Sequence, residues 1–272
     1  MSMQPATDAP ITVHRLQLPR DTRAEDVLAM IQNVRPEASL DGGTIDLGDG
    51  SRLVADTGRR GAGRWNLETP RDREDPLPEG MDDTHGYGRA FPQGIPFGVE
   101  REALDLVWSL ARRLFGAVVT DSGVRIEPHP CHVQDLVVVS AHALAPESFA
   151  QMLAPLEPEA MLDEVPELTP RSGYAATVPL DGGGEIRISV GRSVQPVALR
   201  AVSWLDQAVD YDISYVPADE RETDLERPDA ATELRWTEVY RRIGMIAGVI
   251  LESVGGYVVD REGFLVAPSD LV

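Results

Sequence analysis

One sequence motif occurs twice in this chain, once in the middle and once near the end. Residues 116–128 read GAVVTDSGVRIEP, and residues 255–268 read GGYVVDREGFLVAP. Each motif follows a long segment with apolar residues at helical spacing, and each alternates apolar residues around a glycine, which is typical of two short strands joined by a tight turn. The repeat constrains the fold because it predicts the same helix and hairpin twice.

The segments that precede the two motifs also correspond. Both copies begin with a strand-like run, followed by an amphipathic segment and a glycine-containing hairpin. Corresponding landmarks lie 125, 133 and 140 residues apart, and they are Ile11 with Leu136, Gly58 with Gly191, and Pro128 with Pro268. A separation that only increases along the chain is expected from a duplication with small insertions in the second copy.

The predicted order of elements in each copy is β-α-β-β-α-β, which resembles the ferredoxin-like arrangement. The sequence therefore predicts an α+β protein of two such units, over residues 1–130 and 131–272, related by a pseudo-twofold axis. The resemblance concerns topology alone and implies no activity, because this fold carries many unrelated functions.

Two residue types in the motif have predicted structural roles. Asp121 and Asp260 are predicted to cap the turn with their side chains. Gly116 and Gly255 or Gly256 stand where a helix meets a strand, a position that favours positive φ.

The charge of the chain limits its partners. The 45 acidic and 25 basic residues give a net charge of −20, and every basic residue is arginine. Residues 1–130 carry 21 acids and 15 arginines (−6), and residues 131–272 carry 24 and 10 (−14). Nucleic acid is therefore not expected as a partner, whereas a basic protein is. The lack of lysine excludes a lysine-bearing phosphate loop and a Schiff-base lysine.

The expected location is the cytoplasm. Cys131 is the single cysteine, which excludes an intrachain disulfide and favours a reducing compartment. The first ten residues have no signal-peptide pattern, and no apolar run approaches the ~20 residues of a membrane span. We therefore expect no membrane partner.

Long irregular segments are predicted between the hairpin and the second helix of each copy, at residues 69–98 and 211–231. Segments of this length inside compact units often carry function. If the copies are related by a pseudo-twofold axis, the two segments flank one cleft, which is then the predicted binding site. Its candidate ligand contacts are His85, Tyr87, Arg89, Tyr211 and Tyr215.

A second hypothesis places a divalent metal ion in the first irregular segment. Asp82, Asp83 and His85 carry oxygen and nitrogen atoms of the kind that ligate metals. They lack the spacing of an established metal motif, so packing of the segment against the core is the competing interpretation. No other cofactor is expected.

The predicted function is a non-enzymatic binding or protein-interaction module, because no nucleophile–base motif can be identified. Its ligand would be a basic protein or a small molecule. The alternative is a hydrolase-like or metal-assisted enzyme with its site in the same cleft. Residues 216–233 hold seven carboxylates and two arginines, a charge that could steer a basic partner.

Overall fold

The computed structural model describes residues 10–56, 58, 62–78, 81, 83–163 and 173–271. Over these residues the chain forms two antiparallel sheets of seven strands each, together with five helices, which confirms the predicted α+β class. The chain divides into two compact units. The first comprises Met1–Pro130 with Asp224–Arg227, and the second comprises Cys131–Thr223 with Pro228–Val272.

The first unit is built around strand β1, which lies between β5 and β6 and pairs antiparallel with both. The strand order of its sheet is β2-β3-β4-β5-β1-β6-β7. In chain order the elements are β1 (Ile11–Gln17), α1 (Ala24–Val34), β2 (Ser39–Asp41), β3 (Thr44–Asp46), β4 (Arg52–Ala55), β5 (Arg64–Pro70), α2 (Tyr87–Ala90), α3 (Gly98–Arg113), β6 (Ala117–Val119) and β7 (Arg125–Ile126).

The second unit is built in the same way around β8, which lies between β12 and β13. Its elements are β8 (Leu136–Ser140), α4 (Pro146–Leu153), β9 (Met161–Leu162), β10 (Tyr174–Pro179), β11 (Glu185–Arg192), β12 (Val209–Val216), α5 (Ala230–Val254), β13 (Tyr257–Asp260) and β14 (Leu265–Val266). The strand order is β9-β10-β11-β12-β8-β13-β14. The two orders are identical when each strand is numbered within its own unit.

Each unit has more strands than the predicted β-α-β-β-α-β order. Edge strands β2 and β9 are three and two residues long, too short to show a period in the sequence. Strands β5 and β12 follow the hairpin and return the chain to the central strand. The predicted irregular segment 211–231 is therefore wrong over residues 211–216, which belong to β12. The first irregular segment lies between β5, which ends at Pro70, and α3, which begins at Gly98, and the short helix α2 lies within it.

One face of each sheet packs against helices. In β1, His14 and Leu16 are buried, whereas Val13 and Arg15 point to the other face and are exposed, as the pleat of a strand requires. The core of the second unit joins strand residues to apolar residues of α4 and α5, among them Val138, Tyr211, Ile213, Phe149 and Ile246. Burial of such side chains is the main stabilising contribution in both units.

The outer face of the second sheet is also covered. Val139 and Val259 point away from the helices, yet both are buried under Leu199, Leu205 and Ala208 of the segment 193–208. The corresponding positions of the first sheet are Gln17 and Val119, and both are half-buried. This difference explains why β8 reads LVVVS, an apolar run without the alternation that β1 shows.

Gly116 and Gly256 bring the end of each long helix against the central strand. A Cβ on Gly116 would overlap the carbonyl oxygen of Gln17, and one on Gly256 would overlap that of Val139. In the second unit the expected positive φ occurs, at 67° for Gly255 and 113° for Gly256. In the first unit it falls on Phe115, at 54°, so Gly116 is required there for its lack of a side chain.

Candidate functional site

The predicted contacts His85 and Tyr87 are packed into the first unit. Tyr87 is buried, and its hydroxyl donates to Asp105 Oδ1 at 3.0 Å. Burial and the Asp105 carboxylate raise the pKa of Tyr87 well above its ordinary value. The His85 ring stacks on Tyr87, with centroids 5.1 Å apart, and approaches the Trp108 ring at 4.7 Å. Both rings thus help to hold the irregular segment to the core, and their role as ligand contacts stays a prediction.

Arg89 is also engaged inside the first unit. Its guanidinium forms an ion pair with Glu226 and donates to the carbonyl oxygen of Arg125 at 3.1 Å. Glu226 belongs to the short segment Asp224–Arg227 that packs with this unit. Gly86 permits the contact, because its φ is 75° and a Cβ there would overlap the Glu226 side chain.

The carboxylate of Asp83 is used by the backbone. It accepts from the N–H groups of His85, Tyr87 and Gly88 at 3.0, 2.9 and 2.6 Å, as a capping aspartate does at the start of a helix. Asp82, the other carboxylate of the metal hypothesis, lies outside the described residues. Among the side chains that the structure describes, no group of three His, Cys, Asp or Glu residues could hold a metal ion.

Tyr211 and Tyr215 belong to strand β12 of the second unit. Tyr211 is fully buried, and its hydroxyl donates to the carbonyl of His142 at 3.0 Å and accepts from the N–H of Leu144 at 2.8 Å. Tyr215 is half-buried and donates to Glu222 Oε1 at 3.2 Å. Burial raises the pKa of both tyrosines. Tyr211 therefore anchors the chain that follows β8. This role was not predicted, because residue 211 was expected to lie in an irregular segment.

Glu222 ties the acidic segment after β12 to helix α5. It is buried, and it accepts from Arg235 at 2.7 Å and from the indole N–H of Trp236 at 2.7 Å, besides the Tyr215 hydroxyl. The sequence predicts a solvated acidic loop here. Its charge count did not reveal that one of these carboxylates is an internal hydrogen-bond acceptor.

A buried polar network in the first unit was not predicted. His14 of β1 is 3.2 Å from Glu100 Oε1 at the start of α3, and the Nδ1 of the same ring accepts from the N–H of Asp121 at 3.1 Å. Nε2 of His14 therefore carries the proton and donates to Glu100. Arg73 donates to Glu100 at 2.9 Å and to Asp121 at 2.6 Å. Four distant segments of the chain are joined by these bonds.

The network has the composition of an acid–base site but the geometry of a structural one. The side chains of His14 and Glu100 are inaccessible to solvent, and both ring nitrogens of His14 are engaged by protein atoms. Glu100 also accepts from the N–H of Asp72 at 2.8 Å. Since each group is held by another, the network fixes the irregular segment to β1 and α3.

The predicted turn-capping role is correct for Asp260 and wrong for Asp121. Asp260 Oδ1 accepts from the N–H groups of Glu262 and Phe264 at 3.1 and 3.0 Å. In the first unit the matching position is Thr120, whose N–H bonds to the carbonyl of Val124 just as that of Asp260 bonds to Phe264. Asp121 is one residue further along the chain, so its carboxylate is available to Arg73.

The network predicts a specific loss of stability in acid. Burial opposes ionisation of Glu100, but hydrogen bonds from His14 and Arg73 outweigh it and keep its pKa below the ordinary 4.5. The pKa of Asp121 is lowered in the same way by Arg73. The stabilisation is therefore complete above pH 4.5 and is lost as the pH falls through the lowered values.

We expect the free energy of unfolding to fall between pH 5 and pH 3, measured by urea denaturation. The fall should be smaller in Glu100→Gln than in the wild type, because the variant lacks a carboxylate whose pKa is lowered by folding. Glu102→Gln, a change at an exposed neighbour on α3, should lose as much stability over this pH range as the wild type. Parallel curves for all three proteins would contradict the role given to Glu100.

A groove of about 500 Å³ opens in the second unit between the end of α4, the β10–β11 turn and helix α5. Its floor is apolar and continuous with the core, since Leu156, Leu180 and Val239 take part in both. Met245 lies beside them on α5. Its apolar floor and charged sides make this groove the candidate binding site of the second unit.

The sides of the groove hold four carboxylates and three arginines. Two arginines are committed to carboxylates: Arg242 pairs with Glu157, and Arg235 with Glu222. Three carboxylates of the groove, those of Glu159, Asp181 and Glu238, are exposed and bond to none of the residues described. These three carboxylates outnumber the one arginine, Arg241, that also has no bonded partner among the described residues. The groove is therefore suited to a cationic ligand.

Comparison with known proteins adds no family: no protein-family model matches the chain, and no curated protein or solved structure matches it. Within the parts of the chain described, no helix combines the length and the apolar character needed to cross a bilayer.

Proposed function

We propose that this protein is a non-enzymatic binding module that contacts a basic protein partner through the groove of its second unit. The observation that carries the proposal is the groove itself, with its apolar floor and its three carboxylates without a bonded partner among the described residues. Protein interfaces commonly have an apolar centre and a polar or charged rim: burial of the centre supplies affinity, and the charges fix the orientation.

The charge of the whole chain supports the same partner. Residues 131–272 carry a net charge of −14, and the groove lies among them. A field of this sign accelerates the approach of a basic surface and disfavours an acidic one. Because such steering is screened by salt, association should weaken as ionic strength rises.

We also propose that the two units arose by internal duplication. The shared strand order, and the glycine at the end of each long helix, support this origin. A cytoplasmic location is part of the same proposal, in keeping with the single cysteine.

Capture of a partner from a lysate of the source organism tests the proposed function. The wild-type chain should retain a basic protein at low salt and release it at high salt. Met245→Arg should abolish this capture, because it puts bulk and positive charge into the groove. Ser253→Arg, the same charge change on an exposed position of α5, should leave capture intact.

Three results would count against the proposal: no basic protein retained by the wild type, capture that is indifferent to salt, or capture that is equal in the two arginine variants.

A further inference from the structure

We propose, resting on the function proposed above, that the groove of the second unit receives an arginine side chain of the partner, with its guanidinium between Asp181 and Glu159. The first unit shows what an arginine does at the corresponding place. At the position of that arginine the second unit has a glutamate, and Asp181 of the β10–β11 turn bonds to none of the described residues.

In the first unit, Arg35 bridges the hairpin and the long helix. It follows the last residue of α1, forms an ion pair with Asp49 in the β3–β4 turn, and lies 3.9 Å from Glu102 of α3. The guanidinium thus occupies the space between turn and helix.

The second unit has the same local framework. Residues 35–40 read RPEASL and residues 157–162 read EPEAML. The N–H of Arg35 bonds to the carbonyl of Ile31, as that of Glu157 bonds to Leu153. Each chain then turns through an alanine, with Ala38 N–H bonded to Arg35 and Ala160 N–H bonded to Glu157. Arg35 therefore corresponds to Glu157.

The residue of the long helix that pairs with this position also has the opposite charge in the second unit. Glu102 lies 14 residues before Gly116, and Arg242 lies 14 residues before Gly256. Both glycines meet the central strand in the same way, so Glu102 corresponds to Arg242. The Arg–Glu pair of the first unit is a Glu–Arg pair in the second, where Arg242 donates twice to the buried Glu157.

This reversal leaves the β10–β11 turn without its arginine. Arg242 uses its Nε and one terminal nitrogen for Glu157, and no described residue bonds to Asp181. The hairpin is also longer than its counterpart. Pairing beyond the equivalent pairs Ile45–Leu53 and Ala176–Ile188 continues for one pair in the first unit and for three in the second, to Pro179–Glu185.

The charges favour a second guanidinium in this space. Hydrogen bonding to Glu157 raises the pKa of Arg242 against the effect of burial, and the charges of Asp181 and Glu159 raise it further. Three carboxylates therefore raise the pKa of Arg242, and only that of Glu157 is hydrogen-bonded to it. A planar guanidinium can donate to two carboxylates at once, which an ammonium does less well. The methylene stem of the incoming arginine would lie on the apolar floor.

Peptide titration tests the inference. We expect acetyl-Leu-Arg-Leu-amide to shift the amide NMR signals of Gly182 and Gly183 in the full chain, in a saturable way. The citrulline analogue has the same shape without the charge and should bind about tenfold more weakly or worse. Asp181→Asn should weaken the arginine peptide, and Glu252→Gln, an exposed carboxylate elsewhere on α5, should not.

A charge exchange makes the test sharper. The double variant Glu157→Arg/Arg242→Glu gives the second unit the arrangement of the first, so its own arginine should reach Asp181 and peptide binding should be lost. A circular dichroism melt establishes that this variant is folded, and Asp181→Asn serves as the second reading if it is not.

Equal binding of the arginine and citrulline peptides, or no binding of either at millimolar concentration, would overturn the inference. These outcomes leave the effect of Met245→Arg on partner capture standing. Loss of that effect would instead overturn the function on which the inference rests.

Discussion

Replacing Glu100 by leucine is expected to lower the free energy of unfolding by about 3 kcal/mol. The side chain is fully buried and accepts from His14, Arg73 and the N–H of Asp72. Leucine fills similar space but accepts nothing, so the buried ring N–H of His14, the N–H of Asp72 and the partly buried guanidinium of Arg73 each lose an acceptor. Removing the acceptor from a buried donor and from a partly buried charge is among the more costly single changes in a protein.

Urea denaturation of the full chain measures this effect. Glu102→Leu is the matched control, because Glu102 lies on the same turn of α3 with 70% of its side chain exposed. Its replacement should change the free energy of unfolding by less than about 0.5 kcal/mol. Comparable losses in the two variants would show that the network around Glu100 does not stabilise the first unit.

Replacing Gly256 by alanine is expected to cost more than about 3 kcal/mol. Its φ of 113° is unfavourable for any residue with a Cβ, and that atom would overlap the carbonyl oxygen of Val139. Because Val139 belongs to the central strand β8, the overlap cannot be relieved by rotating a side chain. Either β13 must separate from β8 or the end of α5 must shift, and both changes disrupt the core.

Gly248→Ala is the control for this substitution. Gly248 lies inside α5, and a Cβ there meets no atom within 4 Å. Alanine should therefore stabilise the protein by roughly 0.5–1 kcal/mol, through its higher helix propensity. Thermal unfolding followed by circular dichroism should show a large decrease in Tm for Gly256→Ala and a small increase for Gly248→Ala. A Tm for Gly256→Ala within a degree of the wild type would contradict the close contact.

The long elements were predictable because their signals are local. Helices α3 and α5 show apolar residues at helical spacing over many turns, and the hairpins are marked by glycines. Strand β12 was missed although it alternates, with Tyr211 and Ile213 buried and Asp212 exposed between them. The acidic residues around it favoured a loop, and the pairing that makes it a strand comes from β8 and β11, which are distant in sequence.

The network and the groove were beyond prediction for a physical reason. His14 and Asp121 meet because β1 and β6 pair in one particular register, and 107 residues separate them. The groove is lined by residues of three segments that are distant in sequence: the end of α4, the β10–β11 turn and helix α5. Tyr87 was predicted to contact a ligand from its aromatic, glycine-rich surroundings, and those surroundings did not indicate the buried ring and bonded hydroxyl that the structure shows.

The shared strand order has a consequence for how the chain folds as it is synthesised. In each sheet the central strand is made first and one of its neighbours last: Leu16 pairs with Val118, and Val138 pairs with Val258. Contacts this distant in sequence impose slow folding, in the range of milliseconds to seconds. On the ribosome the apolar strand β8 must therefore wait for most of its own unit to emerge, and during that interval its apolar side chains are exposed to aggregation and to capture by chaperones.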